Sequence, residues 1–240
     1  MNIVLIGATS GIGLDIAEKL SMQKHNLYIG SSNEDKLNEV KSKLNCSGTQ
    51  IDVSDIDNFE LFFNQACNAL DNIDVIINCV GSILLKPSHM AHKKEILETY
   101  ALNTFNSIGT IKYGVNYLRK KGGSIILFSS AAASIGLKNH DIISSAKGAI
   151  NSLVKSAAMS YANNNVRINA IAPGLVDTPL SSKITSNSSA LDYSIQMHPI
   201  NRIGKPQNIT KCVEWLIDKD SDWITGQTIT IDGGLSTLKK

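Results

Sequence analysis

Cysteine is scarce in this chain and scattered: Cys46, Cys67, Cys79 and Cys212 are widely separated, with no Cys-x-x-Cys or His–Cys spacing. That excludes a zinc cage or a disulfide framework, so reduced thiols are expected and no metal site. An excess of one charge is missing as well. The 23 basic and 21 acidic residues are mixed along the chain for a formal net charge of +2, which leaves no footprint for nucleic acid or a membrane surface. No apolar run approaches membrane-spanning length, and the first strand-like run begins at Asn2, which predicts that no signal peptide precedes it. These absences together predict a cytoplasmic protein. At 240 residues the chain can bury a full core, and α/β folds of this length are routinely single, so one domain over residues 1–240 is expected.

What the chain does have begins at its second residue. The apolar run Asn2-Ile3-Val4-Leu5-Ile6 leads into Gly7-Ala8-Thr9-Ser10-Gly11-Ile12-Gly13 and then into a helix-like segment, Leu14 to Leu20. Strand, glycine turn and helix in that order form a cradle for a dinucleotide. Glycine lets the backbone approach a pyrophosphate, and the helix N-terminus offers open N–H groups at the positive end of its dipole. Short apolar runs then recur at Leu27 to Gly30, Thr49 to Ile51, Ile73 to Asn78, Ser124 to Ser129, Val166 to Ala172 and Thr228 to Ile231. Helical periodicity fills the gaps, as in Phe59, Phe62, Phe63, Ala66 and Leu70, or Leu153, Val154, Ala157, Ala158 and Tyr161. The alternation predicts an α/β fold: a Rossmann-type, doubly wound parallel sheet of about seven strands with helices on both faces, in three αβα layers. One stretch breaks the rhythm. Residues 180–198 are rich in serine and asparagine, and are expected to form a flexible flap over the substrate.

Further segments fall in a familiar order. Gly7-x3-Gly11-x-Gly13, Asp52-Val53, Asn78-Cys79-Val80-Gly81, Leu102-Asn103-Thr104, Ser129-Ser130, Pro173-Gly174 with Thr178, and the tail Gly226-Gln227-x3-Ile231-Asp232-Gly233-Gly234 follow one another along nearly the whole chain. In this the chain resembles the short-chain dehydrogenase/reductase family. The resemblance implies a cofactor loop at Gly7, Thr9, Ser10, Gly11, Ile12 and Gly13, an adenine-contacting pair at Asp52 and Val53, and further cofactor contacts at Asn78, Gly81, Pro173, Gly174 and Thr178. It also implies catalytic roles for Asn103 and Ser130, and a homodimer or homotetramer. A small-molecule substrate is the remaining expected partner.

NAD-preferring members of the family place a carboxylate at the end of the second strand, where it bonds the ribose 2′-hydroxyl and repels a 2′-phosphate. Here that end reads Gly30-Ser31-Ser32-Asn33. Ser31, Ser32 and Asn33 are hydrogen-bond donors without the repelling charge, so NADP is expected ahead of NAD, although the arginine of many NADP-dependent members is missing too.

The family's chemistry needs a serine, a tyrosine thirteen residues on, and a lysine four beyond that. Counted from Ser130, the tyrosine position is Ile143 and the lysine is Lys147; no tyrosine lies between Tyr117 and Tyr161. Isoleucine has no titratable proton, so ordinary ketone reduction needs another donor. His140, seven residues before Lys147, is one candidate, at the spacing where related enoyl reductases are similar in placing their tyrosine. A continuous helix would put it on the face of Lys147; the alternative is that Asn139-His140-Asp141 begins the helix. Tyr193 and His198 could also swing in from the flap. Lys147 keeps a role on the nicotinamide ribose even without the tyrosine. The expected function is an NAD(P)-dependent oxidoreductase moving a hydride between nicotinamide and a carbonyl or hydroxyl substrate, with an atypical acid/base group. The alternatives are a dinucleotide-binding protein without turnover and an enoyl-type C=C reductase.

Overall fold

The computed structural model describes residues 1–239. Its seven strands are β1 (Asn2–Ile6), β2 (Asn26–Ser31), β3 (Ser47–Gln50), β4 (Val75–Asn78), β5 (Gly123–Phe128), β6 (Val166–Pro173) and β7 (Thr228–Ile231). They form one sheet in the order β3-β2-β1-β4-β5-β6-β7, and every neighbouring pair is parallel. Parallel neighbours need crossover helices, which cover both faces, and the central strands β1, β4 and β5 accordingly read as nearly continuous apolar runs.

Two apolar cores sandwich the sheet. On one face α3 (Asn58–Leu70), α5 (Asn106–Leu118) and α6 (Asp141–Tyr161) press Phe59, Phe63, Val115, Leu118, Ile150 and Val154 onto Val4, Ile6, Ile76 and Ile125. On the other, α1 (Gly11–Met22), α2 (Glu34–Leu44) and α9 (Pro206–Ile217) set Ile16, Leu20, Leu37, Val213 and Leu216 against Ile3, Leu5, Ile29 and Ile126. The pleat sends alternate residues of each strand to opposite cores, which gives the three layers the sequence pattern predicts. Among the described residues no helix is long and apolar enough to cross a membrane.

The serine-rich stretch is folded into two helices, α7 (Ser182–Thr185) and α8 (Ser188–Met197). Its polar side chains bond to nearby backbone: Asn187 Oδ1 accepts from Ala190 N–H at 3.0 Å to cap α8, and Ser186 and Ser194 hydroxyls donate to carbonyls one turn back. Serine and asparagine are turn-formers and caps before they are loop-formers. This is why a composition that suggests a loop here builds helix ends.

The helix that crosses from α4 (Lys93–Tyr100) to α5 is interrupted. Residues Ala101–Phe105 form a π-helical turn, and that extra residue per turn rotates Asn103 inward, where it is fully buried.

Phe63 fills the space between α3, α5 and the sheet, in edge contact with Phe62 and tilted contact with Phe59 and Tyr117. Phe63→Ala is expected to cost about 3–5 kcal/mol. Urea denaturation checks this: the midpoint should fall with the slope unchanged, and an unshifted midpoint would contradict this packing.

Candidate active site

The strand order reverses beside β1: the chain steps outward through β2 and β3, then returns to pair β4 on the other side. Ligands of open parallel sheets bind past the carboxyl ends of the strands at such a switch point. A groove of about 260 Å³ lies there.

Its floor is the glycine turn. Gly7 (φ +84°) and Gly11 (φ +52°) take left-handed backbone angles. A Cβ on Gly13 would stand 2.0 Å from Gly7 O, so turn and helix close on each other only with hydrogen at that position. Gly7 N–H donates to Gly30 O at 2.8 Å, fastening the turn to β2. The Ser10 side chain does not cap α1. The first-turn N–H groups therefore remain open to an anion at the positive end of the helix.

Of the residues the sequence singles out for a cofactor, Gly7, residues 9–13, Ser31, Ser32, Asp52, Val53, Gly81 and Thr178 line this groove together. Ser31 is turned to the loop, its hydroxyl 2.8 Å from that of Thr9. Asp52 accepts from Ser54 N–H and hydroxyl at 2.9 and 2.7 Å, bonds that hold its carboxyl below the usual range. Five of the residues singled out, Asn33, Asn78, Lys147, Pro173 and Gly174, are not among those that line the groove. Asn33 caps α2 through Lys36 N–H at 2.9 Å. Asn78 is buried and ties β4 to α5, donating to Thr110 Oγ1 at 2.7 Å and accepting from Val80 N–H at 2.9 Å. Pro173 ends β6, and Gly174 packs on the His198 ring, where a Cβ would meet Nε2 at 2.9 Å. The groove also takes in Ile6, Ile51, Cys79, Val80, Leu102 and Leu180. Strand and helix periodicity assigned such apolar residues to the core, and no polar signal marked them as ligand contacts.

Of the groups expected to do chemistry, Asn103 and Lys147 meet at Gly81, which lines the groove. Asn103 Nδ2 donates to Thr99 O and Ser82 Oγ at 2.7 and 2.9 Å, and its Oδ1 accepts from Ser82 N–H at 3.2 Å. A Cβ on Gly81 would lie 3.0 Å from both Asn103 Oδ1 and Lys147 Nζ. Both polar ends thus converge on the bare backbone of Gly81. Lys147 is 7% exposed; its Nζ donates to Phe128 O at 2.7 Å, and burial pulls its pKa down to about 8. Burial pushes the neighbouring Cys79 thiol above its ordinary range, so it stays protonated. Of the serine pair, Ser129 is buried and donates to Lys147 O at 3.1 Å, while Ser130 is half-exposed and accepts from Ala132 N–H at 3.2 Å.

Ile143 sits on the inward face of α6, one turn before Lys147 and 4% exposed. His140 is not on that helix. It is the residue before Asp141, with φ −103° and ψ 12°, and its Nδ1 lies 2.8 Å from Lys138 O. This is the helix-start arrangement, and the continuous-helix premise for His140 does not hold. His198 is buried, with Nδ1 2.6 Å from Ser194 O, and with Gly174 it lines a second cavity apart from the residues of this groove; Tyr193 is largely exposed. Among the described residues no cluster of three metal-ligating side chains occurs.

A left-handed glycine turn, an uncapped helix start and strand ends lined by hydroxyls and one acid together fit a dinucleotide, and define a dinucleotide-binding α/β protein. Residues 7–236 match the sequence profile of the family described as enoyl-(acyl carrier protein) reductase. The chain belongs to this family, within the short-chain dehydrogenase/reductase oxidoreductases. A chloroplastic tropinone reductase homologue of Arabidopsis thaliana is 31% identical over 98% of this chain and 76% of its own. The oxidoreductase YxbG of Bacillus subtilis is 29% identical over 97% of this chain and 89% of its own. Among solved structures, ElxO with NADP bound superposes with a TM-score of 0.92 at 26% identity, covering 99% of both chains. An actinorhodin polyketide ketoreductase variant shares the fold, with a TM-score of 0.93 at 22% identity over 98% of this chain and 97% of that one.

The burial of Lys147 predicts how stability depends on pH. Below about pH 8 the folded and unfolded chains both carry the ammonium, and its burial counts against the fold. Between about 8 and the ordinary 10.5 the folded chain has released a proton that the unfolded chain still binds, so stability rises with pH. Lys147→Met is therefore expected to melt above the parent near neutral pH, with a gap that narrows as pH rises through that window. A gap that stays constant in thermal melts would contradict the burial cost.

Proposed function

We propose that this protein is an NADP(H)-dependent reductase acting on a carbonyl, or in reverse a hydroxyl, group of a small molecule, with an acid/base group other than tyrosine. The observation that carries the reading is the convergence of Asn103 Oδ1 and Lys147 Nζ on Gly81, a residue that lines the dinucleotide groove. The dinucleotide, when bound, supplies or takes the hydride. The residues of the chain do the rest. Open N–H groups of α1 would hold the pyrophosphate, and Lys147 Nζ would donate to the ribose hydroxyls. The Ser130 hydroxyl, which uses only an acceptor lone pair on Ala132 N–H, keeps its proton for the substrate oxygen. Asn103, through Ser82, fixes the loop that leaves β4.

The preference for NADP is supported by the end of β2, where Ser32 and Asn33 are exposed and no carboxylate stands to repel a 2′-phosphate. The NADP in the ElxO structure is consistent with it.

Hydride transfer to an activated C=C bond is a second reading, favoured by the buried aliphatic side chain at position 143 and by the enoyl reductase description of the matching profile. NADPH oxidation with matched panels of ketones and conjugated enones separates the two. Ketone reduction is expected from the parent, and Ile143→Tyr should raise it by about 100-fold, within the usual range for a positioned general acid. Turnover confined to enones would favour the second reading. NADPH binding without turnover of either panel, in parent and Ile143→Tyr alike, would leave a dinucleotide-binding protein that is not an enzyme.

A further inference from the structure

We propose that Lys147 is itself the acid and base of the reaction, delivering to the substrate oxygen the proton that the residue at position 143 does not have. This rests on the reading above that carbonyl groups are reduced in the groove. Ile143 and Lys147 lie one turn apart on the inward face of α6, 4% and 7% exposed. With an aliphatic side chain at 143, the ammonium is the proton-bearing group of that face. Its Nζ stands 3.0 Å from where Gly81, a residue of the groove wall, would carry a Cβ.

The surroundings leave this ammonium without a partner of opposite charge. Its hydrogen bond goes to a carbonyl, Phe128 O, two residues before Ser130, and Asn103 Oδ1 approaches from the π-helical turn. The titratable group acting on it is Cys79, at the end of β4, whose thiol is held neutral. Charged and titratable groups on the other packed elements are engaged elsewhere. Tyr100 of α4 donates to Ser145 Oγ, and Asp141 at the start of α6 accepts from Ser88. Tyr113 and Lys112 of α5 bond Asp57, Tyr117 of α5 donates to Asn64, and Arg167 of β6 donates to the carbonyls of Leu216 and Ile224. An amine drawn down to about 8 exchanges its proton readily near neutral pH, as a general acid must.

The step balances with one proton and one hydride. In the reductive direction the carbonyl carbon takes a hydride with its electron pair, which a bound reduced dinucleotide would supply, and the carbonyl π pair moves to oxygen. That oxygen forms a bond to a proton of Lys147, whose N–H electrons stay on nitrogen as a neutral amine. Water then reprotonates the amine, and alcohol oxidation runs the same steps backward.

Lys147→Arg tests the proposal, because arginine keeps the charge and donors but does not release a proton in the working range. NADPH binding, followed by nicotinamide fluorescence, should be retained, while kcat falls about 100-fold or more and its dependence on pH near 8 disappears. A second readout needs no turnover: competitive amine labelling of the cofactor-free parent, resolved by peptide mass spectrometry across pH, should show Lys147 titrating near 8 rather than at the ordinary 10.5. The labelling result decides if Lys147→Arg does not fold. Unchanged kcat and pH profile in Lys147→Arg would overturn the proposal while leaving the reductase reading standing. So would an ordinary lysine titration, or a pH limb that survives in Lys147→Arg and vanishes in His140→Ala. If neither the parent nor Ile143→Tyr turns over any carbonyl, the reductase reading fails and the proposal falls with it.

Discussion

The close passage of Gly13 over Gly7 is the contact on which the site depends. With only hydrogen between the α carbon of one and the carbonyl of the other, α1 starts directly against the end of β1. That placement aims the uncapped N–H groups of α1 along the groove, and it lets Ile16, Ala17 and Leu20 pack onto the sheet beside Ile3, Leu5 and Ile29. One steric allowance thus serves both a core and an anion site. A side chain at position 13 would have to separate the two.

The inner wall is held by polar groups that are buried and bonded to one another. Asn78 fixes β4 to α5, Thr104 donates to Ala146 O between the π-helical turn and α6, and Ser129 links β5 to α6 through Lys147 O. Such a network is costly to disturb, because each member removed leaves a partner unsatisfied in a region of low dielectric. Lys147 is the exception, a buried charge with carbonyl and amide neighbours but no carboxylate. Burying an unpaired ammonium costs stability, and the fold retains it at the wall where a substrate oxygen would come.

The strand–helix alternation and its three layers were legible because parallel strands buried on both faces read as apolar runs, from Ile3-Val4-Leu5-Ile6 to Ile168 through Ala172. That Ile143 and Lys147 lie one turn apart on one helix was legible too, since their spacing needs no structure. Other features were not. Ala101–Phe105 continues a helical pattern on both sides, so nothing in it announces the π-helical turn that buries Asn103. The serines of residues 180–198 look the same whether they hydrate a loop or cap helices, and only the backbone decides. For His140 the sequence leaves two arrangements open, a continuous helix through Lys147 or a helix that begins at Asn139-His140-Asp141, and the backbone decides for the second: Asn139 at φ +64° turns the chain and α6 starts at Asp141.

The central claim is that the groove over the glycine turn takes a dinucleotide. Its most direct test is a titration with NADPH, followed by reduced-nicotinamide fluorescence, of the parent and of Gly13→Ala. Saturable binding of one NADPH per chain is expected for the parent, and its loss in Gly13→Ala. No saturable binding to the parent, or equal affinity in the two proteins, would contradict it.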